Sequence, residues 1–133
     1  MILIDTGAFL ARYITQDQFH TRSLRLWEKI QQNGRRCFTT NFVLSETLTL
    51  LARRGGYTFA AEKAQVFYSS TALNILRPAE EEELAAVHLF KKYADQNVSF
   101  NDCLSFAVMR RKNIEEVFSF DRHFELAGFK ILK

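Results

Sequence analysis

The sequence is poor in residues that interrupt packed structure. Its 133 residues include one proline and five glycines, and no stretch is of low complexity. With 47% hydrophobic and 25% charged residues, this composition excludes a disordered or fibrous chain. A chain of this length can bury a substantial core, so we expect residues 1–133 to form a single domain.

Long hydrophobic runs and paired cysteines are also missing. No apolar stretch is long enough to span a bilayer, and no basic segment followed by an apolar one opens the chain as in a signal peptide. Cys37 and Cys103 do not have the spacing of a paired motif, which favours reduced thiols over a disulfide. We therefore expect a cytoplasmic protein without a membrane segment.

Charge and histidine content narrow the kinds of partner and metal ion that the protein can bind. The formal net charge is +3 and the isoelectric point is near 9.0, which is compatible with an anionic partner. His20, His88 and His123 are scattered, so the chain offers no compact His/Cys cluster for zinc.

Short apolar segments alternate with helical patterns along the whole chain. Strands are expected at residues 1–4, 36–40, 73–76, 116–120 and 129–132, and helices at 7–13, 20–32, 42–54, 59–69, 80–92 and 102–112. Thr6, Asn41 and Asn101 are candidate helix caps, and Leu24, Trp27 and Ile30 form an apolar stripe on the second helix. Alternation of this kind predicts an α/β fold with three α/β/α layers around a central, mostly parallel sheet.

Four acidic residues follow or open the predicted elements. Asp5 and Asp121 each end an apolar strand, Asp102 opens a helix, and Glu46 lies on an otherwise apolar helix face and should point inward. In parallel sheets ligands bind outside the carboxyl ends of the strands, where these acids should meet. Clustered carboxylates repel one another unless a cation neutralises them, so the pattern predicts a divalent-metal site.

Each acid also has an ordinary interpretation. Glu46 could pair with an arginine or cap a strand, Asp102 could simply favour a helix start, and Asp5 and Asp121 could be turn residues. The four together favour Mg²⁺ or Mn²⁺, which prefer oxygen ligands and suit phosphate-ester hydrolysis. His123 adjoins the predicted site, but we expect a surface role for it.

The basic residues fall into two groups. Arg53, Arg54 and the 110–112 cluster lie at helix C-termini, where basic residues are favoured structurally. Arg12 and Arg122 are closer in sequence to the acids, so they are the candidates for holding substrate phosphates.

Four segments together resemble the PIN domain family, and more narrowly its VapC-type toxin nucleases. They are Ile4-Asp5-Thr6, Asn41-Phe42-Val43-Leu44-Ser45-Glu46, Asn101-Asp102-Cys103-Leu104-Ser105-Phe106-Ala107 and Ser119-Phe120-Asp121-Arg122-His123-Phe124. Their order and spacing fit over essentially the whole chain. Asn101 departs from the Thr or Ser that often precedes the third acid in similar proteins.

The resemblance implies an α/β/α fold and a Mg²⁺- or Mn²⁺-dependent ribonuclease that acts on an RNA substrate. It also implies a homodimer and a cognate antitoxin. Asp5, Glu46, Asp102 and Asp121 match the acidic catalytic positions; of these, Asp5, Asp102 and Asp121 would bind metal. Thr6 and Ser119 match supporting hydroxyls. Arg12 and Arg122, chosen for their closeness in sequence to the acids, are the candidates for contacting the RNA.

A catalytically silent PIN-like module that binds RNA or protein is the main alternative. A receiver-like signalling domain or an aspartyl phosphatase also places acids at strand ends. Both fit poorly, because Thr6 and Gly7 follow Asp5 where a further acid would be needed.

Overall fold

The computed structural model describes all residues from 1 to 133 and has a five-stranded, wholly parallel sheet at its centre. The strands are β1 (Ile2–Ile4), β2 (Cys37–Thr40), β3 (Leu73–Leu76), β4 (Glu116–Phe118) and β5 (Lys130–Ile131). Their spatial order is β3-β2-β1-β4-β5. The chain therefore adds β2 and β3 on one side of β1, and then β4 and β5 on the other side. The boundary between β1 and β4 is the topological switch point of the sheet.

Seven α-helices connect and cover the strands. They are α1 (Thr6–Tyr13), α2 (His20–Gln32), α3 (Asn41–Gly55), α4 (Tyr57–Ser69), α5 (Glu80–Lys92), α6 (Phe100–Lys112) and the single turn α7 (His123–Leu126). None of them is long and apolar enough to cross a membrane.

The sheet separates two hydrophobic cores. Ile2 and Ile4 of β1 pack into a core formed with α1 to α4, whereas Leu3 packs into the core formed with α5 and α6. Because successive strand residues point to opposite faces, a central strand covered on both sides must be apolar throughout. The three-layer α/β/α prediction is confirmed, and Cys37 and Cys103 are buried free thiols.

Two predicted helix caps are corrected by the structure. The helix α6 is capped by Ser99, whose Oγ accepts from the Asp102 backbone N–H at 3.0 Å, and not by Asn101. Thr40 rather than Asn41 caps α3, accepting from the Val43 N–H at 3.0 Å. In each helix the capping oxygen belongs to the residue three positions before the N–H that donates to it. Asn41 and Asn101 lie one and two residues after that position, so their side chains are not the caps.

Two further expectations differ from the structure. Thr6 is the first residue of α1 and not its cap, since the extended Asp5 occupies that position. On α2 the buried residues are Ser23, Leu26 and Ile30, whereas Leu24 is exposed. Ile30 is buried and Trp27 is partly buried against the core as expected, so only Leu24 was wrong, and the first turn instead buries a serine that apolar periodicity does not reveal.

Candidate active site

The site lies at the carboxyl edge of β1 and β4. Asp5 directly follows β1, and its backbone N–H donates to the Phe118 carbonyl of β4 at 3.0 Å. Residues 119–121 continue from β4, so Asp121 reaches the same edge. This is the switch point of the sheet, where parallel α/β folds place their ligands.

A buried serine joins the two strand-end acids. The Ser119 hydroxyl donates to Asp5 Oδ2 at 2.8 Å and accepts from the Asp121 backbone N–H at 3.0 Å. Ser119 is 2% exposed, so both contacts are shielded from water. The strand that we expected to reach residue 120 ends at Phe118, because the chain turns here around this hydroxyl.

The other two acids come from helices. Asp102 lies in the first turn of α6, and Glu46 lies on α3, where its carboxylate accepts a hydrogen bond from the Asn101 side-chain amide. Glu46 does not point into the core as expected and is exposed. The buried face of α3 is formed by Val43, Leu44 and Thr47, which turns Glu46 toward the edge of the sheet.

All four acids line one cavity of about 370 Å³. No Lys or Arg lines it, although the chain is basic overall. The lining side chains and backbone belong to Asp5, Thr6, Gly7, Leu10, Glu46, Leu50, Asn97, Ser99, Asp102, Phe120, Asp121 and His123. The structure therefore brings together every predicted acid and Thr6, with Ser119 bonded to Asp5.

Burial dominates the electrostatics of this cavity. It raises the pKa of Asp5 to about 6, although the hydrogen bond from Ser119 acts in the opposite direction. Burial, followed by the charges of Asp5 and Asp121, raises the pKa of Asp102 to about 8. Without a cation, the site therefore favours protonated carboxyls, and a bound cation would replace those protons.

His123 lies inside this arrangement and not on a remote surface. Its Nδ1 is 3.1 Å from Asp121 Oδ1 and 3.6 Å from Asp102 Oδ2. Ligand atoms of these three residues all lie within 4.8 Å of one another, a spacing that can hold a metal ion. The sequence contained one signal for this placement, which is that His123 follows Asp121 by two residues in the same tight turn.

The two predicted RNA-binding arginines have different surroundings. Arg122 is exposed beside Asp121 and lines an open surface depression next to the acidic cavity. Arg12 does not lie near the acids as expected, because α1 leads it about 10 Å along the helix away from Asp5. Its guanidinium packs over Trp27, 4.7 Å from the ring centroid.

The sequence did not identify Arg22 as a basic residue close to the acidic cavity. Its guanidinium lies 6.0 Å from the centroid of the Phe120 ring, and Phe120 lines the acidic cavity. No local pattern marks Arg22, because only the packing of α2 against the turn after β4 brings it here.

The chain is similar to known proteins over nearly its whole length. The sequence model described as "PIN domain" matches residues 2–130. The chain belongs to the PIN domain family. The chain is 36% identical to the "23S rRNA-specific endonuclease VapC20" of Mycobacterium tuberculosis over 129 residues, which cover 97% of this chain and 95% of that protein. It is 32% identical to a "VapC ribonuclease" of Archaeoglobus fulgidus, covering 93% of this chain and 79% of the relative.

A solved structure matches over nearly the whole fold. The crystal structure of Mycobacterium tuberculosis VapC20, described as a "Sarcin-Ricin loop cleaving toxin", superposes with a TM-score of 0.88 and 34% identity. The match covers 97% of this chain and 96% of that one. The predicted PIN-domain, VapC-type assignment is confirmed by these relatives together with the family match.

Proposed function

We propose that this PIN domain is a VapC-type toxin that hydrolyses RNA phosphodiester bonds internally and depends on Mg²⁺ or Mn²⁺. The observation that carries the proposal is the cavity in which Asp5, Glu46, Asp102 and Asp121 meet without any Lys or Arg in its lining. Four carboxylates are costly to keep charged in one partly buried place unless a cation neutralises them.

The residues present fit such a cation. Carboxylate oxygens are the ligands that Mg²⁺ and Mn²⁺ prefer, and Asp5, Asp102 and Asp121 supply them from three different elements. A bound divalent ion supplies a water of lowered pKa and stabilises the charge that develops on the phosphate. The raised pKa values of Asp5 and Asp102 support this assignment, because buried carboxyls gain most from a nearby positive charge.

The surrounding side chains have separable roles in this proposal. Ser119 fixes the Asp5 carboxylate, and Asn101 holds Glu46 toward the cavity. Glu46 is exposed to solvent, so we assign it to take up the proton of the attacking water and not to bind metal. The buried Thr6 hydroxyl has no protein partner and is free to bind a water or a phosphate oxygen.

We further propose that the substrate is a structured loop of ribosomal RNA. The support is the similarity to a relative described as specific for 23S rRNA, whose solved structure is described as that of a toxin cleaving the sarcin–ricin loop. Arg122, beside Asp121 and exposed, is the guanidinium that we assign to the RNA backbone.

Partners and location complete the proposal. The family resemblance supports an antitoxin that inhibits the enzyme, a homodimer and a cytoplasmic location, and the two free thiols accord with a reducing compartment. Exposed apolar side chains on α4 and α5, such as Val66, Tyr68, Leu84 and Val87, provide surfaces for protein partners. Expression of the chain alone should arrest growth, and co-expression of the antitoxin encoded beside it should restore growth. If the chain is harmless alone, the toxin assignment fails while the nuclease assignment stands.

The direct test is cleavage of total RNA and of isolated ribosomal RNA with Mg²⁺, with and without a chelator. Asp5→Asn and Asp102→Asn should lose cleavage by orders of magnitude while remaining folded. Arg53→Ala is the matched control, because Arg53 is exposed in the last turn of α3, away from the cavity. RNA binding without any metal-dependent cleavage would instead support the silent binding module.

A further inference from the structure

His123 lies next to two of the four acids, Asp102 and Asp121. It begins α7, and its backbone N–H donates to Asp121 Oδ1 at 2.9 Å, which fixes the residue against that carboxylate. Its side chain is 31% exposed, but the Nδ1 atom itself is buried, and its approach to Asp121 Oδ1 at 3.1 Å does not form a hydrogen bond in this ring orientation. A buried polar atom without a partner is unusual in a folded protein and calls for a ligand.

The distances around Nδ1 match those between ligands of one ion. Two neighbouring ligands of an octahedral ion, each about 2.1 Å from it, lie about 3 Å apart. Nδ1 is 3.1 Å from Asp121 Oδ1 and 3.6 Å from Asp102 Oδ2, and ligand atoms of all three residues fit within 4.8 Å. The set therefore needs little rearrangement to surround a single cation.

We propose that His123 is itself a metal ligand, binding through Nδ1 beside Asp102 and Asp121, and that this nitrogen shifts the preference of the site from Mg²⁺ toward Mn²⁺. Mg²⁺ strongly favours oxygen ligands and water, whereas first-row transition ions accept imidazole readily. The inference rests on the proposed function, because it adds a ligand to the metal site of that nuclease.

A second role for His123 is a positioning one. With its proton on Nδ1, the ring would donate to Asp121 Oδ1 and orient that carboxylate from outside the metal's coordination sphere. That oxygen already accepts the backbone N–H of the same residue, so it has less need of a second donor. The two roles differ in one measurable property, which is whether nitrogen is bonded to the metal.

The first measurement is calorimetric titration of the full chain with Mn²⁺ alone and with Mg²⁺ alone. We compare the wild type with His123→Asn, whose carboxamide oxygen can replace Nδ1 with a ligand that suits Mg²⁺, and with His88→Asn. His88 is exposed on α5 and serves as the control. His123→Asn should weaken Mn²⁺ binding on the order of tenfold and Mg²⁺ binding much less, whereas His88→Asn should change neither.

The second measurement needs no variant. Electron spin echo modulation of Mn²⁺ bound to the wild type should show coupling to an imidazole nitrogen, which isotopic labelling of histidine identifies. Mn²⁺ binding without this coupling, or an unchanged Mn²⁺-to-Mg²⁺ preference in a folded His123→Asn, would overturn the inference and leave the proposed function intact. Failure of the wild type to bind either ion would overturn the proposed function, and the inference with it.

Discussion

At the residue scale, one hydroxyl organises the centre of the site. Ser119 donates to Asp5 while accepting from the backbone of Asp121, so it ties together residues that are 114 and 2 positions away in sequence. Its hydrogen bond lowers the pKa of Asp5, but burial has the larger effect and the pKa still rises to about 6. The geometry of the carboxylate thus depends on Ser119, while its basicity is set mainly by burial.

Ser119→Ala should therefore raise the pKa of Asp5 further and weaken Mg²⁺ binding on the order of tenfold, because the carboxylate loses its orienting donor. Carbon-13 NMR titration of the Asp5 carboxyl and calorimetry with Mg²⁺ measure the two effects. Ser105→Ala is the matched control, since Ser105 is a buried serine whose Oγ has no partner. Equal effects of the two substitutions would show that Ser119 acts only through packing.

The two arginines named from the sequence should behave differently. Arg122→Ala should weaken RNA binding and reduce its dependence on salt, because Arg122 is exposed next to the acidic cavity. Arg12→Ala should leave RNA binding nearly unchanged, because its guanidinium packs over Trp27 at 4.7 Å. RNA affinity of the Asp102→Asn background, measured over a range of salt concentrations, avoids cleavage during the experiment. A larger loss for Arg12→Ala would place the RNA on the other face of α1.

At the element scale, the start of α6 combines two tasks in neighbouring residues. Ser99 caps the helix by accepting from the Asp102 N–H, and Asn101 extends across to α3, where its amide donates to Glu46. The first contact stabilises the helix end, and the second connects α6 with the acid on α3. Stability and function should therefore separate between these two positions.

Ser99→Ala should lower the free energy of unfolding by about 1 kcal/mol, as expected for a lost N-cap. Asn101→Ala should cost less stability, because the cap remains, but should slow RNA cleavage by releasing Glu46. Urea denaturation and single-turnover cleavage of the same RNA measure the two effects for both variants. If Asn101→Ala were the more destabilising variant with unimpaired cleavage, the assigned roles would be reversed.

At the scale of the whole molecule, the acidic cavity opposes folding when no cation is present. The folded state raises the pKa of Asp5 to about 6 and that of Asp102 to about 8, from an ordinary value of 3.8 for each. The folded protein thus binds more protons than the unfolded one in this range, so its stability falls as pH rises. The contribution is complete below the ordinary pKa and is lost as pH rises through the two raised values.

In chelator, the free energy of unfolding should therefore decrease between about pH 4 and about pH 8. With saturating Mg²⁺ the decrease should shrink or reverse, because the cation replaces the protons and binds more tightly as pH rises. Asp102→Asn should remove much of the dependence in chelator, since the group with the most strongly raised pKa is gone. Urea denaturation across this pH range measures all three expectations, and a flat profile for the wild type in chelator would contradict them.

The sequence by itself determined the layers of the fold and the meeting of three of the four acids. Apolar strands alternating with helices require a covered parallel sheet, and the carboxyl ends of parallel strands share one edge. Asp5 and Asp121 each follow a strand, and Asp102 lies in the first turn of a helix that starts near the same edge. Their convergence therefore follows from chain direction alone and needs no knowledge of side-chain packing.

Only the tertiary structure decided where Glu46 points and which other side chains join the acids. A shift of one residue in helical phase turns a side chain by about 100°, and apolar periodicity does not fix phase that finely. For this reason Arg12 lies near Trp27, Arg22 reaches Phe120, and Glu46 is exposed instead of pointing inward. The sequence placed His123 next to Asp121, but its approach to Asp102 depends on how the turn after β4 packs against α6.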